Sequence, residues 1–129
     1  MSKKLIEKDA TGLKELLRQI YAGIPYDLHT PRESFYHALF IMMAKASGYE
    51  VEVHTDKGRI DIVLKIKGSV FIIEFKYNKD KKSIETLLKE AITQLRDKKY
   101  HEKYASTDVT LLAIAFNKDK EIGCKFESV

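Results

Sequence analysis

The sequence predicts an α/β domain in which a mixed central sheet is flanked by helices. Three observations predict it. Two runs rich in β-branched and aromatic residues, 59–66 and 70–77, fold back on each other around Gly68-Ser69. Two stretches with helical patterning precede this hairpin and a third follows it. After the third helix comes DVTLLAIAF, an apolar run of strand length that suits a buried strand.

At 129 residues with 44% hydrophobic content, the chain fits one domain, residues 1–129, built on a single core. Its first helix spans Thr11 to Tyr21, with Leu13, Leu16, Leu17 and Ile20 on one face and Gly23 and Pro25 marking its end. A second helix begins near Thr30 with Pro31 at its first position. Its body, ESFYHALFIMMAKASG, is apolar nearly all round, which predicts burial between other elements until Gly48 stops it.

Tyr49 to His54 alternates apolar and polar residues, a strand with one wet face, and Thr55-Asp56-Lys57-Gly58 reads as a turn into the hairpin. Beyond the hairpin, Ser83 is a fair N-cap for a third helix running to about Lys99, with Ile84, Leu87, Leu88, Ala91 and Leu95 on one stripe. Asp108 to Phe116 is then a buried strand and Ile122 to Phe126 a short last one. The predicted order is α, α, β, β, β, α, β, β.

The hairpin also carries the chemistry. With Gly68 and Ser69 as the loop, Lys67 faces Val70, and stepping outward pairs Val63 with Glu74 and Asp61 with Lys76. Opposed residues share a face and side chains alternate, so Asp61, Glu74 and Lys76 point to one side of the sheet. A three-residue loop would change the parity.

Two readings of that convergence stand side by side. The bare pattern favours an ordinary, partly exposed ion pair near a strand end, because charge pairs across strands are common. The other is a metal site: two carboxylates give hard oxygen ligands to a magnesium-type ion that favours phosphate as a further ligand. A bound water then becomes acidic enough to attack, and a lysine beside it positions the nucleophile or offsets phosphoryl charge.

Other polar residues read more simply. Glu33 and His37 lie four apart on one helical face, where Glu33 favours the helix N-terminus through the macrodipole and His37 forms a local hydrogen bond. His54 reads as an exposed strand-end residue, and Gln94, at the edge of its helical stripe, as facing water. Tyr100 and Tyr104 bracket KKYHEKY, where tyrosines anchoring a helix end are the common case and stacking on nucleic acid the rarer one.

Net charge is +4, and the segment from Lys76 to Lys103, with nine basic and five acidic residues, holds the whole excess. A basic surface of this kind suits a polyanion, and a solvated lysine-rich helix gives the same count. The single cysteine, Cys124, excludes an intrachain disulfide and points to a reducing compartment. MSKKLIEKDATGLKE lacks the apolar segment of a signal peptide or membrane span, so a cytoplasmic protein with no membrane partner is expected.

IPYDLHTPRESFYHALF, GRIDIVL, FIIEFKY and AITQLRDKKYHEKY together resemble the PD-(D/E)XK nuclease superfamily, from about Thr11 onward. More narrowly, the chain resembles the nuclease-like domain found C-terminal to an AAA-ATPase-like module in bacterial proteins. The resemblance implies a restriction-endonuclease-like αβββαβ core with an extra N-terminal helix. It assigns Asp61 as the metal-binding aspartate, Glu74 as the second acid and Lys76 as the lysine of the E-x-K motif, with the Phe75 backbone carbonyl completing the metal site. Glu33 matches the acid of the first core helix, and Gln94 the glutamine that borders many such sites.

The implied function is a Mg²⁺- or Mn²⁺-dependent nuclease acting on nucleic acid, DNA foremost, with Tyr100, Lys98 and Lys99 as substrate contacts. The alternative is a nuclease-like module that binds nucleic acid or an ATPase partner without cutting. Many relatives act as dimers, which makes a homodimer an implied assembly. Two departures stand out: Ile60 precedes Asp61 where the family's name has proline, and no Gly-rich phosphate loop occurs.

Overall fold

The computed structural model describes residues 2–22, 33–56, 59–78, 82–97, 108–117 and 121–128, without the side chains of 2, 33–37, 55–56, 59–61, 78 and 117. The elements are α1 (Ser2–Ile6), α2 (Ala10–Ala22), α3 (Glu33–Ala46), β1 (Glu50–Asp56), β2 (Arg59–Ile66), β3 (Ser69–Asn78), α4 (Ile84–Asp97), β4 (Asp108–Asn117) and β5 (Ile122–Ser128). The five strands form one sheet in sequence order, antiparallel throughout except for the parallel pair β3 and β4, which α4 connects. This is the expected mixed sheet.

Period-two alternation sorts the sheet residues onto two cores. Ile62, Leu64, Phe71, Ile73, Phe75, Leu112, Ile114 and Phe116 meet Leu5, Leu13, Leu17, Tyr21, Phe40 and Ala44 of the three N-terminal helices. On the other face Val63, Val70, Ile72, Leu111, Ala113 and Ala115 pack with Leu87, Leu88, Ala91, Ile92 and Leu95 of α4. The strand runs that look apolar on both sides are therefore covered on both sides.

Two helical expectations need correction. A helix, α1, precedes the one expected from Thr11; its sequence SKKLI is short and carries two lysines, but Leu5 is fully buried in the core. Asp9 then caps α2, its Oδ1 accepting the Gly12 N–H at 2.9 Å while Lys4 Nζ stands 3.4 Å from Oδ2. The Gly12 hydrogen bond, with help from Lys4, holds the Asp9 carboxyl below its ordinary value. That capping contribution is present above the usual carboxylate range and is lost as pH falls through the lowered value.

The second correction concerns α3, which is not enclosed. Phe40 and Ala44 are buried, but Met42 is 66% exposed, because only one face of the helix meets the sheet. Its start near Thr30 lies outside the described residues; its end matches expectation, with Gly48 at a φ of 82°.

The hairpin loop is Lys67-Gly68 rather than Gly68-Ser69: Ile66 pairs with Ser69 and Lys65 with Val70. Both loop residues have positive φ, 48° and 83°, as a type I′ turn requires. Moving the loop back by one residue changes each pairing by two positions in total, so facial parity survives. Lysine in the left-handed region costs about 1–2 kcal/mol, and asparagine followed by glycine is the favoured pair there. Lys67→Asn is expected to stabilise the domain by about 0.5–1 kcal/mol, seen as a raised urea midpoint at unchanged slope.

Helix α4 is fixed on the sheet at two points. At β5 it comes so close that a Cβ on Gly123 would collide with Ile84 Cγ2. At its other end Arg96 donates from Nε and Nη2 to Glu127 Oε2, at 2.9 and 2.7 Å. Cys124, on the same strand, is half-buried, and burial pushes its thiol up to about 12, which leaves it protonated and unreactive.

Candidate active site

The hairpin register decides what meets on the α4 face. Asp61 is the direct partner of Glu74, and not of Lys76 as a Gly68-Ser69 loop predicts. Lys76 lies one row further along β3 on the same face, beside Ala115 of β4. The three residues picked from the sequence thus share one face, with the two acids closer than expected. Opposed residues on one face have Cβ atoms about 4.5–5.5 Å apart.

The row continues on both sides. On β1, His54 is the register partner of Asp61; on β4, Ala113 is that of Glu74, followed by Lys125 on β5. His54 and Ala113 were not singled out from the sequence as site residues. The signal was present for His54, since a strand running on to Asp56 with two residues between the strand ends sets it opposite Asp61. Ala113 gives no signal of its own, because it is a small residue within an apolar strand.

Glu74 is 2% exposed, one of two buried polar or charged residues among those described. A carboxylate so far from water is costly unless other groups or an ion compensate its charge. Ala113, the register partner of Glu74, is fully buried in the α4 core. Ala113→Leu is therefore expected to cost about 1–3 kcal/mol by overpacking, read from a melting curve.

Gln94, half-buried on α4, lies about 200° around the helix from Arg96, which turns toward β5. Its Oε1 is buried with no hydrogen-bond partner among the described residues. The sequence reading that it faces water is thereby overturned.

An ion-pair chain borders the row on its β1 side. Lys65 Nζ stands 3.0 Å from Glu52 Oε1 and 3.9 Å from Glu50 Oε1, while Glu52 Oε2 lies 3.5 Å from His54 Nε2. Among the described residues, no group of three His, Cys, Asp or Glu side chains is close enough to hold an ion; the Asp61 side chain is not among them. The side chains of Glu33 and His37, and all of Lys98, Lys99, Tyr100 and Tyr104, also lie outside the described residues.

A model of the PD-(D/E)XK nuclease superfamily matches residues 31–126, which takes in α3, all five strands nearly to the end of β5, and α4. The chain belongs to the PD-(D/E)XK nuclease superfamily. Helix α3, strands β1 to β3, helix α4 and strand β4 form the αβββαβ core of that fold, with α1 and α2 added before it and β5 after it. The chain is also similar to an uncharacterized protein in the vnfD 5′ region of Azotobacter chroococcum mcd 1, at 31% identity over 137 residues. That match covers 97% of this chain and 25% of the relative, so the chain spans a quarter of the relative's length.

PD-(D/E)XK nucleases generally use divalent metal ions, and membership implies nucleic-acid binding. Among the described residues, no helix is long and apolar enough to cross a membrane.

Proposed function

We propose that this domain is a Mg²⁺- or Mn²⁺-dependent nuclease that hydrolyses phosphodiester bonds, of DNA foremost, in the cytoplasm. One observation carries the reading: a buried glutamate directly opposite an aspartate, with a lysine on the same face, in the strands where the superfamily keeps its site. Asp61, Glu74 and the backbone carbonyl of Phe75 would hold the ion. When bound, it supplies Lewis acidity to the phosphoryl oxygens and lowers the pKa of a coordinated water.

The chain's own groups do the rest. Lys76 projects one row from Glu74 and orients the attacking water by donating to it, while its charge offsets that on the phosphoryl oxygens. Gln94 supplies an amide oxygen on the α4 side of the water; Glu33, the acid the resemblance adds, begins α3, which packs through Phe40 and Ala44 on the opposite face of the sheet. Lys98, Lys99 and Tyr100, in the sequence that follows α4, grip the substrate backbone by charge and stacking.

A second reading has one observation in its favour. The chain aligns with only a quarter of its relative, as a module tethered to other parts would. In that reading the domain binds nucleic acid or an AAA-ATPase-like partner and does not cut. Titration with Mn²⁺ under a thermal melt separates the two, because an ion that binds only the folded state at a hundred times its Kd stabilises by about 2.7 kcal/mol. Stabilisation that Asp61→Ala abolishes is expected; a melting curve indifferent to the ion would leave the binding module. Light scattering across a dilution series tests the homodimer.

A further inference from the structure

Strand β5 is the last in the sheet, and among the described residues no backbone–backbone hydrogen bond reaches it except those with β4. We propose that this edge is the docking site of an extended peptide, which adds a strand to the sheet with an acidic side chain turned toward α2 and a basic neighbour turned toward α4. None of the nuclease-site residues takes part, so the two readings stand or fall separately.

A cleft marks the place. Its volume of about 400 Å³ is bounded by four successive residues, Glu121 to Cys124, by the first part of α2 and by the first turns of α4. That is the size of a small ligand site. Helices α2 and α4 cover opposite faces of the sheet. A cavity that touches both of them, and four successive residues between them, therefore lies along the outer edge of β5. Such an edge is a template for a further strand, whose main chain supplies affinity while its alternate side chains supply specificity.

The two walls differ in charge. On α2, Lys14 and Arg18 stand one turn apart and both line the cleft, whereas the other wall carries Glu85 of α4. Lys14 is half-buried and close enough for its charge to act on the Cys124 thiol. Neither Lys14 nor Glu85 makes an ion pair or hydrogen bond among the described residues. Arg18 has Glu15 at 3.2 Å, with both side chains half-exposed. Successive side chains of an added strand point to opposite faces. One residue of the peptide thus meets the cations of α2 and the next meets the acid of α4, which selects an acid and a base side by side. A nucleic-acid strand fits poorly, because its phosphates would face Glu85 and it has no amides to match the strand edge.

Three acetylated and amidated hexapeptides test this on the whole chain: Thr-Val-Glu-Lys-Val-Thr, its Glu-Glu form and its Lys-Lys form. Each is titrated at low salt while the protein's amide shifts are followed. The Glu-Lys peptide is expected to bind about tenfold more tightly than either like-charged form, to move the amides of 121–126 and to slow their hydrogen exchange. Methylating the alternate peptide nitrogens that face β5 is expected to abolish binding, and methylating the others to leave it.

Reversing a wall gives a gain that a misfolded protein cannot show. Lys14→Glu combined with Arg18→Glu is expected to move the preference to the Lys-Lys peptide, and Glu85→Lys to the Glu-Glu peptide. Should the double variant not fold, Glu85→Lys decides in the same way. Equal binding of the three peptides, binding that moves no β5 amide, or no binding to wild type at millimolar peptide would overturn the proposal. So would a single-stranded oligonucleotide that displaces the Glu-Lys peptide from the cleft.

Discussion

Lys76→Ala is expected to lower cleavage by about 10²–10⁴-fold, the span over which positioned proton-handling groups contribute, while the melting temperature stays near wild type. The two effects separate because of where Lys76 sits. It is half-buried near the end of β3, outside both apolar cores, and among the described residues it makes no ion pair or hydrogen bond. Substitutions of that kind usually change stability by less than about 0.5 kcal/mol. Glu74, one row away, is buried in the α4 core, so its replacement would confound chemistry with folding.

Lys76→Arg is the useful companion. Arginine keeps the charge but spreads it over a planar fork with different donor geometry, so it is expected to recover little activity if Lys76 orients a water. Near-complete recovery would reduce the role to bulk charge. Normal cleavage by Lys76→Ala, measured with initial rates on purified protein, would remove the lysine from the mechanism.

Phe75→Ala has the largest expected effect on stability, about 3–5 kcal/mol. Phe75 is fully buried between two aromatic partners, Phe40 at 5.3 Å edge-on and Phe116 at 5.7 Å with ring planes 5° apart. Losing the ring leaves a void where α3, β3 and β4 meet, and three rigid elements cannot close it cheaply. Against a total stability of about 5–15 kcal/mol, such a loss is a large fraction.

This core change also bears on the site. Phe75 stands between Glu74 and Lys76 on β3, pointing to the opposite face, so its packing sets the depth of both. Urea unfolding is expected to show a much lower midpoint for Phe75→Ala and a smaller decrease for Phe75→Leu, which keeps most of the apolar volume. A midpoint close to wild type for alanine would mean that the aromatic cluster does not hold β3 in place.

The acids and the lysine are legible in the sequence because a period-two pattern is robust. Placing the loop one residue late shifts every pair yet keeps Asp61, Glu74 and Lys76 on one face. Lysine rarely adopts positive φ, so the sequence favours Gly68-Ser69 over the Lys67-Gly68 turn that forms. Helix α1 was hidden by its charges; five residues with one buried leucine leave no periodicity to detect.

Helix α3 misled for the opposite reason. A helix apolar all round reads as enclosed, but its outer side, at Met42, faces outward where the sheet offers no second layer. His54 reads as a strand end in the sequence, and two further residues of β1 put it in the row. Gln94 shows a limit of another kind. The edge of a helical stripe is ambiguous until something fixes the rotation of the helix, and here the Arg96–Glu127 pair does so from the far side.

The most direct test of the nuclease reading is Mn²⁺-dependent cleavage of linear, circular, single-stranded and branched DNA and RNA by the wild-type domain, with Asp61→Ala purified and assayed beside it. Cleavage by wild type alone, lost on chelation, is the predicted result, and the preferred substrate would then name the nucleic acid. Equal cleavage by both proteins, or none by a wild type that binds the ion, would contradict the claim that this row of residues is by itself a working active site.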